Sequence, residues 1–374
     1  MRVDKSKWQK IFLGEVCNLY QPKTIATSCL DSNGKYLVYG ANGVIGKYNE
    51  YNHKFPEVLI TCRGATCGTI NISKPFSWIN GNAMVVHPKE ENLLDFAFLG
   101  KAVSAIDYSK VITGAAQPQI TRANLQKVQI VIPTLVEQQT IASELDAVQE
   151  MIDGYKAQIA DLDALAQSIF LDMFGNVSMN DKSWNIIPMG KLGDFKNGLN
   201  YNKGEQGKSI KIIGVGDFQN IKSLSSFNDI SSIEVEHISE EYLLHNEDIV
   251  FVRSNGNKNL VGRCLEVYPN DAEVTFSGFC IRFRKSVEIS NKYLIALLTD
   301  SGFKKTHLLK SNGIGIQNIN QKLLSSLPIP VPSADLQQLF ALKVETIEQQ
   351  KEQLRLQLQD AETLMAERMQ YYFS

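Results

Sequence analysis

Basic and amide side chains cluster on three Gly-containing turns between strand-like runs, at residues 39–48, 61–68 and 252–263. Arginine can hydrogen-bond a guanine edge with both arms of its guanidinium, and amide side chains can pair in the same way with adenine. Lysine and backbone amides can hold phosphates. For any single residue a solvated loop is the simpler explanation, but the three clusters together favour DNA contact. The candidate residues on them are Asn42, Lys47, Arg63, Arg253, Ser254, Asn255, Lys258 and Arg263.

A second polar set precedes the last apolar run of each half of the chain, at residues 114–133 and 313–332. Both segments read as a Gly-containing turn, then Gln, then an apolar run that ends in Pro. Their polar character in both halves indicates a shared task, which is either DNA contact or only the capping of the turn and the segment after it. The candidates are Gln117, Gln119, Thr121, Arg122, Gln317, Asn318 and Lys322, with Lys203 added from another Gly-containing turn.

The motifs of common enzyme classes are absent from the sequence. It contains no HExxH and no GxSxG, and the GEQGKS segment at 204–209 lacks the first glycine of a phosphate loop, because Asn202 stands there. The five histidines are scattered and the six cysteines form no CxxC, so we expect no metal site. We therefore expect a non-catalytic chain that carries no cofactor of its own.

The net charge of −2 hides a strong asymmetry along the chain. Residues 1–133 carry a net charge of +6 and residues 176–332 carry +2, whereas residues 134–175 carry −7 and residues 333–374 carry −3. Phosphate binding depends on the local field and not on the total charge. The two longer segments are therefore compatible with DNA binding.

No apolar run approaches the roughly 18–20 residues that a membrane span needs. The charged N-terminal segment MRVDKSKWQK has no apolar region behind it, so we expect no signal peptide and no membrane partner. Reduced cysteines in a cytoplasmic protein are the simplest interpretation.

The elements that must position these side chains form an internal repeat. Each half opens with a Trp followed six residues later by Gly, continues with short β-branched and aromatic runs, and carries one helix-like stretch late in its length. At a constant offset of 199 residues, apolar and proline positions near the end of each half coincide. These pairs are Ile120 with Ile319, Leu125 with Leu324, Ile130 with Ile329, and Pro133 with Pro332.

A long helix is predicted after each of the two prolines, because apolar residues there alternate spacings of four and three. Lys351 falls on the second seam and interrupts it, while Leu356 and Leu364 lie off the seam as possible contacts for another protein. The first helix should be on the order of 50 Å long, and the two seams should pair with each other in antiparallel orientation. The seam residues are Ile141, Leu145, Val148, Ile152, Tyr155, Ile159, Leu162, Ile169, Phe340, Val344, Ile347, Leu354, Leu358, Ala361 and Met365.

The pattern predicts an α+β fold with two β-rich domains, each followed by a long helix, and the helices paired as an antiparallel coiled coil. The predicted boundaries are residues 1–133 and 176–332 for the β-rich domains, with residues 134–175 and 333–374 for the helices.

The chain resembles the specificity subunits of type I restriction-modification systems over nearly its whole length. The resemblance is carried by the repeated Trp…Gly openings, the Gln turns, the IVIP and IPVP runs and the EQQTIA stretch at 137–142. It implies two target-recognition domains that read the two halves of a split double-stranded DNA target. It also implies two modification subunits, which carry S-adenosylmethionine and methylate adenine, and further translocating nuclease subunits.

One position departs from the repeat, since Leu336 stands where the first helix has Glu137. This leaves open whether the two helices dock partners equivalently. Two alternatives also stay open. The chain could serve a related system in which one partner joins methylation and cleavage, or it could be a coiled-coil scaffold with protein-binding heads, which would show no salt-sensitive affinity for DNA.

Overall fold

The computed structural model describes residues 5–114, 117–201, 206–218, 221–254, 256–257, 260–308 and 318–374. Contacts divide the chain into two compact units. The first unit is Met1–Ala157 with Arg355–Ser374, and the second unit is Gln158–Leu354. Each unit therefore contains one β-rich domain and parts of two long helices.

The first unit has three small sheets. Their strands are β1 (Gln9–Phe12), β2 (Cys17–Tyr20), β3 (Tyr36–Gly40), β4 (Gly43–Tyr48), β5 (Val58–Thr61), β6 (Ile70–Ile72), β7 (Trp78–Ile79), β8 (Ala83–Pro88) and β9 (Gln129–Ile132). The short helices are α1 (Leu13–Val16), α2 (Phe96–Ser104) and α3 (Arg122–Leu125), and the long helix α4 spans Leu135–Phe174. The sheet orders are β2-β8-β5-β6, β4-β3-β7 and β1-β9.

The second unit repeats this plan. Its strands are β10 (Asn185–Pro188), β11 (Gly193–Asn197), β12 (Lys208–Ile213), β13 (Ser223–Leu224), β14 (Ser232–Val235), β15 (Asp248–Val252), β16 (Cys264–Val267), β17 (Val274–Phe276), β18 (Cys280–Lys285) and β19 (Pro328–Val331). Its helices are α5 (Asn291–Thr299), α6 (Ser301–Phe303), α7 (Gln321–Ser325) and the long α8 (Ala334–Phe373). The sheet orders are β11-β18-β15-β16-β13, β14-β12-β17 and β10-β19.

The two units share strand order and strand direction, which confirms the predicted α+β fold with its internal repeat. In both, the first strand of the three-stranded sheet pairs antiparallel with one neighbour and parallel with the other, as β3 does with β4 and β7, and β12 with β14 and β17. Among the described residues, the second unit adds only the short β13 at its sheet edge. None of the helices in the described residues is both long and apolar enough to cross a membrane.

The central strands β5 and β15 are buried on both faces, which explains their unbroken apolar runs. Val58 and Ile60 pack in the core that contains α2, while Leu59 packs in a second core with residues of β3 and β7. Residues of β15 alternate between two cores in the same way. The alternation follows from the two-residue period of a strand.

The glycine of each Trp…Gly opening is required by a close approach of a short helix. A Cβ on Gly14 would lie 2.8 Å from the side chain of Gln126, at the end of α3. A Cβ on Gly190 would lie 2.9 Å from Cβ of Ser325, at the end of α7. Since Gln126 and Ser325 are related by the same offset of 199 residues, the repeated glycine preserves the same packing in both units.

The long helices α4 and α8 pair in antiparallel orientation within each unit. In the first unit Glu144 accepts a hydrogen bond from Tyr372 at 2.7 Å and pairs with Arg368 at 3.1 Å. In the second unit the rings of Phe170 and Phe340 lie 5.6 Å apart. The start of each helix therefore contacts the end of the other, as the two apolar seams predict.

The structure places the predicted seam residues on the less exposed face of both helices. Ile141, Leu145, Val148, Ile152, Phe340, Ile347 and Ala361 are buried. The remaining seam residues are partly buried, namely Tyr155, Ile159, Leu162, Ile169, Val344, Leu354, Leu358 and Met365.

The structure refines two details of the predicted seam. Lys351 is the charged residue within the apolar seam, as predicted, and its side chain remains buried there at 3% exposure. Its ammonium pairs with Asp163 at 2.8 Å and Glu348 at 2.9 Å. Leu364, expected off the seam, packs against the apolar cluster of Val148 and neighbouring residues. A packed helix commonly buries a third position per heptad in this way, beside the two of a strict seam.

One buried glutamine fixes the first turn of each long helix to the adjoining β-rich domain. The Gln138 side chain accepts from the backbone N–H of Asp95 at 2.8 Å and donates to the carbonyls of Leu93 at 2.9 Å and Pro133 at 3.0 Å. In the second unit, Gln337 accepts from Ser290 at 3.0 Å and donates to Pro332 at 2.9 Å. Both amides therefore hold the residue that caps the domain's own helix, Asp95 before α2 and Ser290 before α5.

Gln138→Leu should lower the free energy of unfolding of the full chain by about 2–4 kcal/mol, because it leaves buried backbone groups without hydrogen-bond partners. Urea unfolding followed by circular dichroism measures the change. The matched control is Gln139→Leu, since Gln139 is the exposed next residue on the same helix, and it should stay within about 0.5 kcal/mol of the unmodified chain. Equal losses in the two variants would contradict a structural role specific to Gln138.

Candidate nucleic-acid interface

In each unit a turn that follows the central strand is hydrogen-bonded to a turn that precedes the last short helix. In the first unit, the N–H of Ile120 donates to the carbonyl of Cys62 and that of Gly64 to the carbonyl of Pro118, both at 3.0 Å. Arg63 forms an antiparallel bridge with Gln119 between these two bonds. The basic turn after β5 and the Gln turn before α3 are thus one surface.

The second unit has the same arrangement after β15. The N–H of Ile319 donates to the carbonyl of Arg253 at 2.8 Å, and Ser254 forms an antiparallel bridge with Asn318. We call these two surfaces the paired turns: residues 62–64 with 117–121 in the first unit, and residues 253–254 with 318–320 in the second. The sequence predicted the four segments separately, and the structure brings them together in pairs.

Six candidate residues on the paired turns and on the short helices that follow them are exposed to solvent. These exposed residues are Arg63, Gln117, Gln119, Arg122, Asn318 and Lys322. Within the part of the chain that the structure describes, no acidic side chain is within ion-pairing distance of Arg63, Arg122 or Lys322. Cations without acidic partners keep their charge available for phosphate oxygens.

Some candidates hold the fold as well as lining the surface. Thr121 caps α3 by accepting from the N–H of Asn124 at 3.2 Å, and Asn320 caps α7 by accepting from Leu323 at 2.8 Å. Arg263 is half-buried and donates to the carbonyl of Phe218 at 3.2 Å. Capping therefore explains Thr121 without any ligand.

The other described candidates are Asn42, Lys47 and Arg253, of which only Arg253 belongs to the paired turns. The hydroxyl of Thr61 donates to the carbonyl of Ala41, which brings the hairpin turn with the exposed Asn42 next to the end of β5. Lys47 is exposed on β4 and pairs with Leu37, several residues away from that turn. Arg253 is half-buried beside the carbonyl of Gly278. Lys203, Asn255, Lys258 and Gln317 lie outside the described residues.

The Cys62 thiol beside Arg63 is a core group and not a reactive one. Burial raises its pKa, an effect opposed by the hydrogen bond that Gln21 donates to the sulfur at 3.0 Å. A protonated thiol is neither a nucleophile nor a metal ligand. Among the described residues no group of three or more His, Cys, Asp or Glu side chains is placed to hold a metal ion.

Sequence reasoning missed a third turn in each unit, which contacts the paired turns through the backbone. The carbonyl of Asn82 accepts from the N–H of Cys62 at 3.3 Å, and the carbonyl of Phe279 accepts from the N–H of Arg253 at 2.8 Å. The signal was present, because GNAMVV at 81–86 and GFCIRF at 278–283 both begin with glycine and continue into a buried strand.

Comparisons with known proteins agree with this repeated architecture. The family model described as the type I restriction modification DNA specificity domain matches twice, at residues 5–163 and 181–360. The chain is 26% identical over 337 residues to the type I restriction enzyme StySPI specificity subunit of Salmonella potsdam, covering 83% of this chain and 68% of that protein. It is 21% identical over 379 residues to the MjaVIII specificity subunit of Methanocaldococcus jannaschii, covering 91% and 86%.

A solved structure has the same fold. It is the S subunit of a type I restriction-modification system from M. genitalium, which matches with a TM-score of 0.63 and 16% identity and covers 100% of this chain and 98% of that one. A chain solved in work on complex assembly of the type I R-M system matches with a TM-score of 0.57 and 14% identity, covering 100% and 98%.

Thr121→Ala should lower the free energy of unfolding by about 1 kcal/mol, because the N-terminus of α3 loses its cap. Thr121→Ser is the matched control, since it keeps the hydroxyl and should retain most of the stability. Urea unfolding and DNA affinity of both variants are measured together. If Thr121→Ala left stability unchanged and weakened DNA binding, the hydroxyl would act on DNA and not as a cap.

Proposed function

The chain belongs to the family of type I restriction-modification DNA specificity proteins, and from this premise we propose that it reads an asymmetric, bipartite DNA target. In this role it is a non-catalytic subunit that positions adenine methyltransferase and translocating nuclease subunits on that target. The two β-rich domains, residues 1–133 and 176–332, are the proposed target-recognition domains. The repetition of the paired turns in both units is the observation that carries this proposal.

Each set of paired turns has the chemistry that DNA recognition needs. Exposed Arg and Lys side chains supply the charge that attracts phosphates, and exposed amides supply the donors and acceptors that distinguish base edges. Arg63 and Gln119 are antiparallel bridge partners across one pair of turns. A guanidinium and an amide at neighbouring positions suit two successive bases.

Different side chains at equivalent positions support two different half-sites. Where the first unit has Arg63 opposite Gln119, the second has Ser254 opposite Asn318. Two units with identical side chains would favour a palindromic target. The differences at the paired turns favour an asymmetric one.

The helix pair is suited to act as a spacer between the two half-sites. Both α4 and α8 have 40 residues, which corresponds to about 60 Å of helix. The seam and the glutamines at both first turns favour a rigid element. A rigid spacer predicts a fixed, uncontacted gap in the target.

Exposed apolar side chains on the outer faces of the long helices support docking of the modification subunits. These are Val136 at 73% exposure, Leu339 at 49%, Leu342 at 53% and Leu356 at 56%. Glu137 does not need a docking role, because its carboxylate caps α4 by accepting from the backbone N–H of Thr134 at 2.9 Å. We propose that S-adenosylmethionine binds to the docked modification subunits and not to this chain.

Arg63→Ala should weaken DNA affinity, and Arg63→Lys separates the two possible causes. If Arg63 contacts phosphate, lysine restores the affinity, and alanine lowers the slope of log affinity against log salt by about 1. If it reads a guanine, both variants lose about 1–3 kcal/mol of discrimination at one base pair. Titration of labelled duplexes at several salt concentrations measures both quantities. Lys343→Ala on α8 is the control for loss of a charge elsewhere, and an effect equal to that of Arg63→Ala would contradict a local contact.

Seven residues inserted after Ala157 together with seven inserted after Leu354 should lengthen the gap without changing the half-sites. The insertion keeps both seams in phase and adds about 10 Å of helix, or about three base pairs. The altered chain is copurified with its modification partner, and adenine methylation is mapped across a genome. Insertion into one helix only is the control and should abolish methylation. An unchanged gap would overturn the spacer role, and a complex without any DNA affinity would favour a protein-binding scaffold.

A further inference from the structure

A three-residue turn lies beside the paired turns in both units, at residues 80–82 before β8 and 277–279 before β18. In each turn the first carbonyl accepts from the N–H three residues later, at 3.0 Å from Ala83 to Asn80 and at 2.7 Å from Cys280 to Ser277. The middle residue is glycine in both. The third residue bonds through its carbonyl to the turn after the central strand, as described above. Asn82 and Phe279 therefore occupy equivalent positions.

Hydrogen bonds with nearby segments of the same chain hold both turns in place. In the second unit, the N–H of Gly278 donates to the carbonyl of Leu199 and that of Leu199 to the carbonyl of Phe276, both at 2.8 Å. In the first unit, the N–H of Gly81 donates to the Thr24 hydroxyl at 3.1 Å and its carbonyl accepts from Gln21 at 2.8 Å. A side chain presented on such a turn loses little additional freedom when it contacts a ligand.

The two equivalent side chains are exposed and differ in chemistry. Phe279 is 62% exposed, although a phenyl ring gains free energy by burial. Asn82 is also exposed, and none of the described residues forms a hydrogen bond with its side-chain amide. The backbone carbonyls of both residues are bonded to the paired turns. The exposed ring and the exposed amide are therefore suited to contact the same ligand surface.

We propose that this position reads one base in each half-site, with Phe279 packed on the 5-methyl group of a thymine and Asn82 bonded to an adenine edge. The inference rests on the proposed DNA-binding function. A phenyl ring has no hydrogen-bonding group, and the thymine methyl is the apolar feature that the major groove offers it. The side-chain amide can donate from its nitrogen to N7 of adenine and accept at its oxygen from the N6 amino group. The exchange of an amide for a ring at one backbone position then contributes to the difference between the half-sites.

Phe279 is tested with the full chain bound to its modification partner and a duplex that carries the mapped target. Each thymine of the half-sites is replaced in turn by deoxyuridine, which removes only the methyl group. One replacement should weaken binding by the unmodified chain about four- to tenfold, the value of one apolar group. Phe279→Ala should bind the thymine duplex about four- to tenfold more weakly than the unmodified chain does. Its affinity should also no longer change when that thymine is replaced by deoxyuridine. Phe279→Leu should keep part of this sensitivity to the methyl group. Phe55→Ala is the matched control, because Phe55 is 64% exposed and lies outside these turns.

Asn82 is tested by replacing each adenine with 7-deazaadenine, which removes the N7 acceptor. At one position of the other half-site, this replacement should lower the affinity of the unmodified chain for the duplex. Asn82→Ala should bind the adenine duplex and the 7-deazaadenine duplex equally well. Asn33→Ala, at another exposed asparagine of the same unit, should keep the distinction. Urea unfolding midpoints should be unchanged in the three variants Phe279→Ala, Phe279→Leu and Asn82→Ala and in their controls, since the altered side chains are exposed.

The outcomes separate this inference from the proposed function. If the unmodified chain in its complex shows no sequence-specific DNA binding, the proposed function fails. If it binds its target but no thymine replacement weakens binding, or if Phe279→Ala keeps the sensitivity, the assignment of Phe279 is wrong. Equal weakening by Phe279→Ala on every duplex would assign the ring to stacking or backbone packing and would likewise overturn the assignment. The same criteria apply to Asn82 with 7-deazaadenine.

Discussion

A single buried amide at the first turn of each long helix fixes that helix to its β-rich domain, and the rest of the structure depends on it. Gln138 satisfies three backbone groups at once, among them the N–H of the residue that caps α2. If the helix slid or rotated, these buried and partly buried groups would lose their partners, at a cost of up to about 1–3 kcal/mol each. A spacer can transmit a distance only if its ends are fixed to the surfaces that it separates, so the proposed function requires this contact.

The far end of each helix also packs against a β-rich domain. In the first unit Tyr372 of α8 is buried in the core of the β-rich domain, and in the second unit Phe174 of α4 packs 4.7 Å from the ring of Tyr293. Between these ends lies the buried ammonium of Lys351, paired with Asp163. A buried ion pair in the seam adds little net stability. A shift in the register of the two helices would separate the ammonium from its carboxylate. Polar residues at seam positions specify helix register for this reason. Aromatic anchors and the seam lysine thus act together on one alignment of the helices.

Much of the fold could be predicted because its signals are local. The heptad spacing of Ile141, Leu145 and their successors depends only on neighbours within one helix, and the repeat is visible as a constant offset. The joining of Arg63 to Gln119 could not be predicted, because residues more than fifty positions apart meet only through strand pairing that periodicity does not specify. The two possible roles of Thr121 had equal support for a related reason, since a hydroxyl before a short helix looks the same whether it caps or binds. Leu364 was assigned off the seam because a two-position heptad underestimates the face that a packed helix buries.

The two units keep one backbone frame and vary the side chains that it presents, which is compatible with the proposed asymmetric target. Where the chain passes close to a neighbour, as at Gly14 and Gly190, both units keep glycine, because any side chain would clash. Where only backbone groups are bonded, the residue can change freely, since the backbone carbonyl accepts the same hydrogen bond whether it belongs to Asn82 or to Phe279. A substitution at such a position alters the surface that is proposed to contact DNA, with little effect on stability. Selection on the target sequence can therefore act on the turns, while selection on folding acts on the glycines, the glutamines and the seam.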